Sequence, residues 1–293
     1  MKGLVIINAY PNGEKFFRQG ERIAEELRAL GMDVKTVRNG EIYAGIQANG
    51  EAFVDGFAGL DFAVYLDKDK YLGRLLEKSN VRLFNCAEAV DACDDKFLTY
   101  LKLSGKGIKV AESVSAPLCY TPSATPDTEF LTNVAKKLGF PLVLKRSYGS
   151  FGQGVQLVHG MPELLLAEKE NLYVPHFYQR YVQESAGRDI RVIVIGGKAF
   201  AAMERVAQAG EFRSNVELGG VGKLIELSPE YRLAAERAAE ALGLDYCGVD
   251  LLESDDGPVL CEVNSNAFFE GIESVTGKNV AKEYAKHIFE TIR

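Results

Sequence analysis

Three groups of residues in this chain have the types and spacing to do chemistry together. Lys145 closes an apolar run and is followed by Gly149, Ser150, Gly152 and Gly154. Without a Cβ in the way, the backbone N–H groups of such a loop can approach phosphate oxygens closely. A lysine just before the loop can neutralise phosphate charge. The loop is not of the G-x-x-x-x-G-K-[ST] kind, since Gly220-Val221-Gly222-Lys223-Leu224 lacks both the first glycine and the hydroxyl. Alone, its spacing is equally that of a flexible hairpin. The second group is the segment GVDLLESDDGPVLCEVN. A turn centred on Asp256 pairs residues equidistant from it, so Asp250 faces Glu262, and Asn264 points to the same side. Two carboxylates placed opposite each other repel, which implies a cation between them. An all-oxygen set without histidine or cysteine suits Mg²⁺ or Mn²⁺. Asp255 and Asp256 are turn residues. The third group is basic: Arg205, Arg213 and the strand start Gly187-Arg188-Asp189-Ile190-Arg191, where Asp189 and Arg191 share a face. Singly, each arginine reads as a solvated charge. With the other two groups they read as walls of a nucleotide site, since arginine recognises phosphate and carboxylate bidentately.

These residues need elements to position them. Gly3–Asn8, Met32–Val37, Phe62–Leu66 and Val81–Asn85 read as strands, with helices over Glu14–Leu30 and Tyr71–Glu77. The alternation predicts a parallel α/β sheet over residues 1–86. The Gly-rich dinucleotide fingerprint is absent, because the first strand runs into Ala9-Tyr10 and a turn at Pro11-Asn12-Gly13. Helices are expected at Asp94–Ser104, at Thr128–Leu138, from the Ser228-Pro229 cap to Leu242, and at Val280–Ile292. Phe140–Arg146 and Gly154–His159 read as strands flanking the glycine loop. Phe177–Val182, Ile190–Ile195 and Lys198–Glu204 read as three more, the last two joined at Gly196-Gly197.

Composition narrows the function. The chain has 293 residues, enough for roughly two domain-sized units, and a net charge of 34 − 41 = −7. The acidic balance argues against a broad nucleic-acid-binding surface. Three histidines leave little room for a multi-histidine metal site or a histidine-based triad. The five cysteines, Cys86, Cys93, Cys119, Cys247 and Cys261, form no C-x-x-C pair, which argues against a zinc site or a disulfide framework. Cys247 and Cys261 read as small core residues, and Cys93 has no histidine near it in sequence to activate it as a nucleophile. No stretch reaches the ~20 apolar residues that span a bilayer. A reducing, cytoplasmic setting without membrane or nucleic-acid partners is the expectation.

The ordered motifs resemble the ATP-grasp superfamily, specifically RimK-type ligases. Cys93-Asp94-Asp95-Lys96 resembles a "C-x-D-K" opening, and PLVLK with GSFGQGV resembles the ATP-binding lysine and mobile glycine loop. Gln179-Arg180-Tyr181-Val182 resembles the adenine-lining hinge, with Arg180 where an acidic residue is common. The segments Gly187–Val192, Gly210–Asn215, GVD and EVN resemble the "G-x-D-I-R" and "F-R-S-N" stretches and the metal-binding strands. Beyond Asn264 the family often has Ser-Pro-Gly, whereas this chain has Ser265-Asn266-Ala267-Phe268-Phe269-Glu270-Gly271, somewhat similar to LysX-type relatives.

The resemblance implies an α/β protein, α+β in its ATP-grasp part. A Rossmann-like pre-ATP-grasp domain (1–86) would precede a two-lobed ATP-grasp fold, with a first lobe carrying the glycine loop (87–175) and a second carrying the metal-binding strands (176–293). It implies that Lys96, Lys145 and the loop Gly149, Ser150, Gly152, Gly154 contact ATP phosphates. Gln179, Tyr181 and Val182 would line adenine and Asp189 would hold the ribose. Asp250, Glu262 and Asn264 would bind two Mg²⁺ (or Mn²⁺) ions. Arg213 would steady the transferring phosphate, with Arg205 and Asn215 facing the substrate. The implied activity is carboxylate–amine ligation through an acyl-phosphate, on a small-molecule or peptide carboxylate and an amine. Glutamate addition, a LysX-type ligase on a carrier protein or other acceptor, a phosphotransferase and a non-catalytic ATP-binding module stay open, as does a homo-oligomer.

Overall fold

The structure, a computed structural model, describes residues 1–10, 14–57, 59–121, 123–208, 210–214 and 219–293. The turn expected at Pro11–Gly13 and the candidate residue Asn215 lie outside them.

Strand β1 (Lys2–Ile7) is a continuous apolar run because both of its faces are covered. Val5 and Ile7 pack with Ile23 and Leu27 of helix α1 (Glu14–Ala29). Leu4 and Ile6 pack on the opposite side with Leu72 and Leu76 of α2 (Lys70–Lys78). Strands β2 (Asp33–Arg38), β5 (Phe62–Leu66) and β6 (Arg82–Phe84) complete an all-parallel sheet of order β2-β1-β5-β6. Between β2 and β5 the chain makes an antiparallel hairpin, β3 (Tyr43–Ile46) and β4 (Ala52–Asp55), that the sequence pattern does not announce.

The helix expected over Asp94–Ser104 is α4 (Lys96–Leu103), and a further helix that the sequence pattern does not announce, α3 (Ala87–Asp94), runs up to it. Asp95 breaks the run. Its backbone is extended and its side chain accepts from the N–H groups of Phe97 and Leu98, an N-cap that starts the second helix.

A middle sheet follows, with order β7-β10-β8-β9. It is built from β7 (Ser113–Ser115), β8 (Leu142–Arg146), β9 (Val155–Val158) and β10 (His176–Arg180), and it is covered by α5 (Thr128–Leu138) and α6 (Met161–Asn171). The last sheet has order β13-β12-β11-β14-β15 and is antiparallel throughout. Its strands are β11 (Arg188–Ile195), β12 (Lys198–Val206), β13 (Val221–Leu224), β14 (Tyr246–Leu252) and β15 (Val259–Asn264). Helix α7 (Pro229–Leu242) packs on one face through Ala235, Ala238 and Ala239. Gly243 ends that helix at φ +68°, a left-handed position that suits glycine.

Helices α8 (Glu270–Thr276) and α9 (Val280–Ile292) cover the other face. That face is not separate from the N-terminal sheet. Ile193 and Ile195 of β11, Tyr284 and Ile288 of α9, and Val5, Ile7 and Leu27 lie in one continuous core. Among the described residues no helix is long and apolar enough to cross a membrane.

Candidate active site

The carboxylate hairpin has the register its sequence predicts where it matters. Asp250 pairs with Glu262 and Gly248 with Asn264. A bulge after Asp250 shifts the pairing by one toward the turn, so Leu251 faces Leu260. Cross-strand neighbours extend the polar line over the sheet: Arg191 lies opposite Asp250, and Asp189 opposite Arg205. Arg191 holds Asp250 with both Nε and Nη2, the latter at 2.8 Å. Arg205 Nη2 reaches Asp250 Oδ2 at 2.9 Å, and its Nε donates to Asp189 Oδ1 at 2.7 Å. Burial works to raise the Asp250 carboxyl, but the two guanidiniums outweigh it and hold the group below its ordinary value.

Two lysines converge on the same place. Lys96 and Lys145 are each only 7% exposed, so both need partners. The break at Asp95 puts Lys96 in the first turn of α4, the end of a helix dipole that disfavours a cation. Its Nζ finds Gly149 O at 2.6 Å and Glu262 Oε1 at 3.5 Å. Lys145, on β8, lies 3.6 Å from Cys261 Sγ on β15. Burial pulls its ammonium down, yet Cys261, Tyr100 and Glu262 around it keep it above the usual lysine value. Cys261, expected as a small core residue, thus sits beside this lysine.

The glycine loop folds down over this floor. Arg213 binds Glu211 bidentately and donates from Nη1 to Gly152 O at 2.9 Å. Ser150 Oγ accepts from Lys68 Nζ at 3.1 Å. Gly154 has φ +70°, and a Cβ there would meet the Arg146 side chain at 2.6 Å.

Two cavities meet at these residues, and Gly149, Arg205 and Glu262 line both. The smaller, of about 110 Å³, gathers Lys96, Lys145, Gln179, Tyr181, Val182, Asp189 and Arg213. Gln179 donates to Tyr100 Oη and Ser113 Oγ, both at 3.0 Å. Arg180 turns its guanidinium to Glu112 at 2.6 Å. The larger cavity, of about 380 Å³, opens between the N-terminal sheet, the glycine loop and the segment after β15, and includes Ser150, Asn264, Asn266 and Phe268.

Metal binding is tested by the donor set. Among the described residues no three His, Cys, Asp or Glu side chains gather as a metal cluster. Two carboxylates and an amide do gather, with Asn264 Nδ2 at 3.5 Å from Asp250 Oδ2. Such a hard-oxygen set, short of a full shell, fits Mg²⁺ whose remaining ligands would come from phosphate and water, with Asp250 sharing oxygens that Arg191 and Arg205 already hold. Cys93 lines the larger cavity, but burial pushes its thiol up to about 12, so it stays protonated at neutral pH and is a poor nucleophile.

Asn8, Asp67 and Lys68 also line the larger cavity and are not among the residues singled out from the sequence, whereas Arg191 belongs to the basic group expected at the site. Asn8 and Asp67 had a usable signal: each immediately follows an apolar strand of the parallel sheet.

A family model described as RimK-like ATP-grasp domain matches residues 93–288. A probable alpha-L-glutamate ligase of Marinomonas sp. (strain MWYL1) is 40% identical over 224 residues, 74% of this chain and 70% of that protein. One from Pseudomonas putida (strain GB-1) is 39% identical over 221 residues, 73% and 69% respectively. Among solved structures, D-alanine–D-alanine ligase from Bacillus anthracis complexed with ATP superposes with a TM-score of 0.73 at 19% identity, over 100% of this chain and 97% of that one. A RimK domain protein from Sphaerobacter thermophilus gives 0.72 at 19% identity, over 98% of both. The ATP-grasp ligase PsnB, complexed with a phosphomimetic variant of its minimal precursor, Mg and ADP, gives 0.69 at 19%, over 99% and 98%.

Proposed function

The chain belongs to the RimK-like ATP-grasp family and is an ATP-dependent ligase forming carbon–nitrogen bonds, and we propose that it activates a carboxylate as an acyl-phosphate and joins it to an amino acid, glutamate foremost. The observation that carries this reading is the junction of two cavities at Glu262, Arg205 and Gly149. One suits a nucleotide and the other an acceptor, and the hairpin carboxylates stand where they join.

In this reading Lys96, Lys145 and the N–H groups of the Gly149–Gly154 loop hold the phosphates of ATP. Gln179, Tyr181 and Val182 face adenine, and Asp189 the ribose. Asp250, Glu262 and Asn264 hold the metal, two ions in the fullest version, and bound Mg²⁺ supplies charge neutralisation at the phosphoryl group. Arg213 offsets charge on the phosphoryl group in transfer, and Arg205 faces the substrate, as Asn215 does in the sequence reading. Arg191 keeps Asp250 oriented. The loop covers the junction and keeps water from the activated acyl group. A cytoplasmic setting goes with this chemistry.

Glu262→Gln is expected to abolish turnover, measured as ADP release with Mg–ATP. Near-normal ADP formation in that variant would sink the metal assignment. Amino acids and short peptides are then screened for stimulated phosphate release, with mass spectrometry of products. Hydroxylamine should trap the acyl group as a hydroxamate, and a phosphorylated product without amide or hydroxamate would point to phosphotransfer instead.

A further inference from the structure

The N-terminal sheet reverses its winding between β1 and β5. From β1 the chain passes to β2 on one side, and later to β5 and β6 on the other. In open α/β sheets, ligands bind in the crevice at the carboxyl ends of the strands flanking such a reversal. The first residues beyond these two strand ends are Asn8 and Asp67, and both line the larger cavity.

Asp67 is a buried carboxylate, 6% exposed. Asn8 Nδ2 donates to both of its oxygens at 3.3 Å, and the N–H of Lys68 donates to Oδ1 at 2.6 Å. These are hydrogen bonds from neutral donors. The adjacent cation does not reach back: Lys68 Nζ is bonded to Asp94 and to Ser150 Oγ. Among the described residues no lysine, arginine or histidine forms an ion pair with Asp67. The other carboxylates around this cavity differ, since Asp94 has Lys68 and Glu262 has Lys96. Burial is the main cause that pushes the Asp67 carboxyl above its ordinary value. Asp69 adds to it, and the Asn8 and backbone donors oppose it. A carboxylate in that state is short of positive charge, and a cation arriving beside it is held more strongly than at the surface.

We propose that Asp67, steadied by Asn8, is where the enzyme receives the positively charged amino group of its acceptor amine. The proposal rests on the ligase reading above and deepens it. A ligase must bring an ammonium into a cavity already lined by Lys68, Arg191 and Arg205. Those cations are already matched by Asp94, Asp189 and Asp250, so an incoming ammonium needs a carboxylate of its own, and a buried one without a partner is costly. Asp67 is the carboxylate of this cavity left uncommitted to a cation. The pre-ATP-grasp unit would then supply the amine subsite, while the hairpin carboxylates serve the phosphoryl side.

The test is Asp67→Asn, which keeps the shape and an acceptor oxygen for the Lys68 N–H. With Mg–ATP and L-glutamate, the KM for the amine is expected to rise about tenfold or more, the loss of one charged hydrogen bond. The KM for ATP should hold. Hydroxylamine is uncharged at neutral pH, so hydroxamate formation should continue while amide formation falls. Asp67→Glu should restore part of the amine affinity. An unchanged amine KM in Asp67→Asn overturns the proposal, and so does an equal fall in hydroxamate and amide. A binding measurement separates this from the glutamate reading. Calorimetry on the wild-type protein with Mg and AMPPNP should detect glycinamide, an ammonium without a carboxylate, and not acetamide. Glycinamide binding should be lost in Asp67→Asn. If L-glutamate is not a substrate but this pattern appears, the substrate reading fails and the amine subsite stands. If wild type does not bind glycinamide, the amine subsite fails.

Discussion

Asp250 and Asp67 are both buried carboxylates, but two arginines hold Asp250 whereas only neutral donors hold Asp67. The position of Asp250 opposite Glu262 matches a turn centred on Asp256, but it is the bulge after Asp250 that restores this register, since the turn-side pairs Leu251–Leu260 and Leu252–Val259 are offset by one. The two arginine partners of Asp250 did not follow from the sequence, since Arg191 and Arg205 come from distant strands that only the folded sheet brings alongside. Asp67 carries a positional signal, as the first residue after a strand of the parallel sheet, but its chemical meaning comes from burial, which no spacing reveals. That burial has a consequence for stability. The folded-state carboxyl of Asp67 titrates above its unfolded value, so over that window the folded state binds more protons than the unfolded one. Stability contributed by this site therefore falls as pH rises through the window, and the full penalty remains above it. Asp67→Asn removes the penalty. Its Tm is expected to match or trail wild type in acid, below the unfolded carboxyl range, and to gain on wild type as pH climbs to neutral. A Tm difference independent of pH, followed by calorimetry, would contradict the assignment.

At the scale of elements, the central parallel strands and the long amphipathic helices were legible because short apolar runs and helical apolar spacing mark them. Helix α6 was not, and its buried face explains why. Glu168 and Asn171 stand at core positions beside Leu164 and Ala167, so the apolar stripe is interrupted. Glu168 is satisfied there by His176 Nε2 at 2.8 Å and by the Tyr178 hydroxyl, partners on β10 that no local pattern reveals. The β3–β4 hairpin escaped because its strands are short and Gly45 stands where a packing side chain would mark the alternation. The break between α3 and α4 matters most for function, since it aims Lys96. Asp95→Ala should cost about 1 kcal/mol through the lost N-cap, and should also raise the KM for ATP as Lys96 loses its direction. Measuring Tm and KM on the same variant decides this; a lower Tm with unchanged KM would show that the cap serves stability alone.

Over the whole molecule, the core joins what sequence alternation separates into a first unit at residues 1–86 and the rest. Asn85 is one of the links. It is 1% exposed, and its side chain donates to Tyr246 O and Ser265 O, both at 2.8 Å, while accepting from the N–H groups of Asp245 and Tyr246. Tyr284 of α9 donates to Phe84 O at 3.1 Å beside it. Asn85→Ala would orphan four backbone groups in the interior, at about 1–3 kcal/mol for each left unpaired. Urea unfolding of wild type should show one transition by circular dichroism. The variant should unfold at much lower urea, and a shift indistinguishable from wild type would mean the units are not tied there. The two cavities carry a different consequence. Because Gly149, Arg205 and Glu262 form a common wall, neither occupant can reshape it unnoticed by the other. Thermodynamic reciprocity then requires the factor by which glycinamide alters AMPPNP affinity to equal the factor by which AMPPNP alters glycinamide affinity. A factor different from one, measured by titration in both directions, would make the loading of each substrate a signal read by the other.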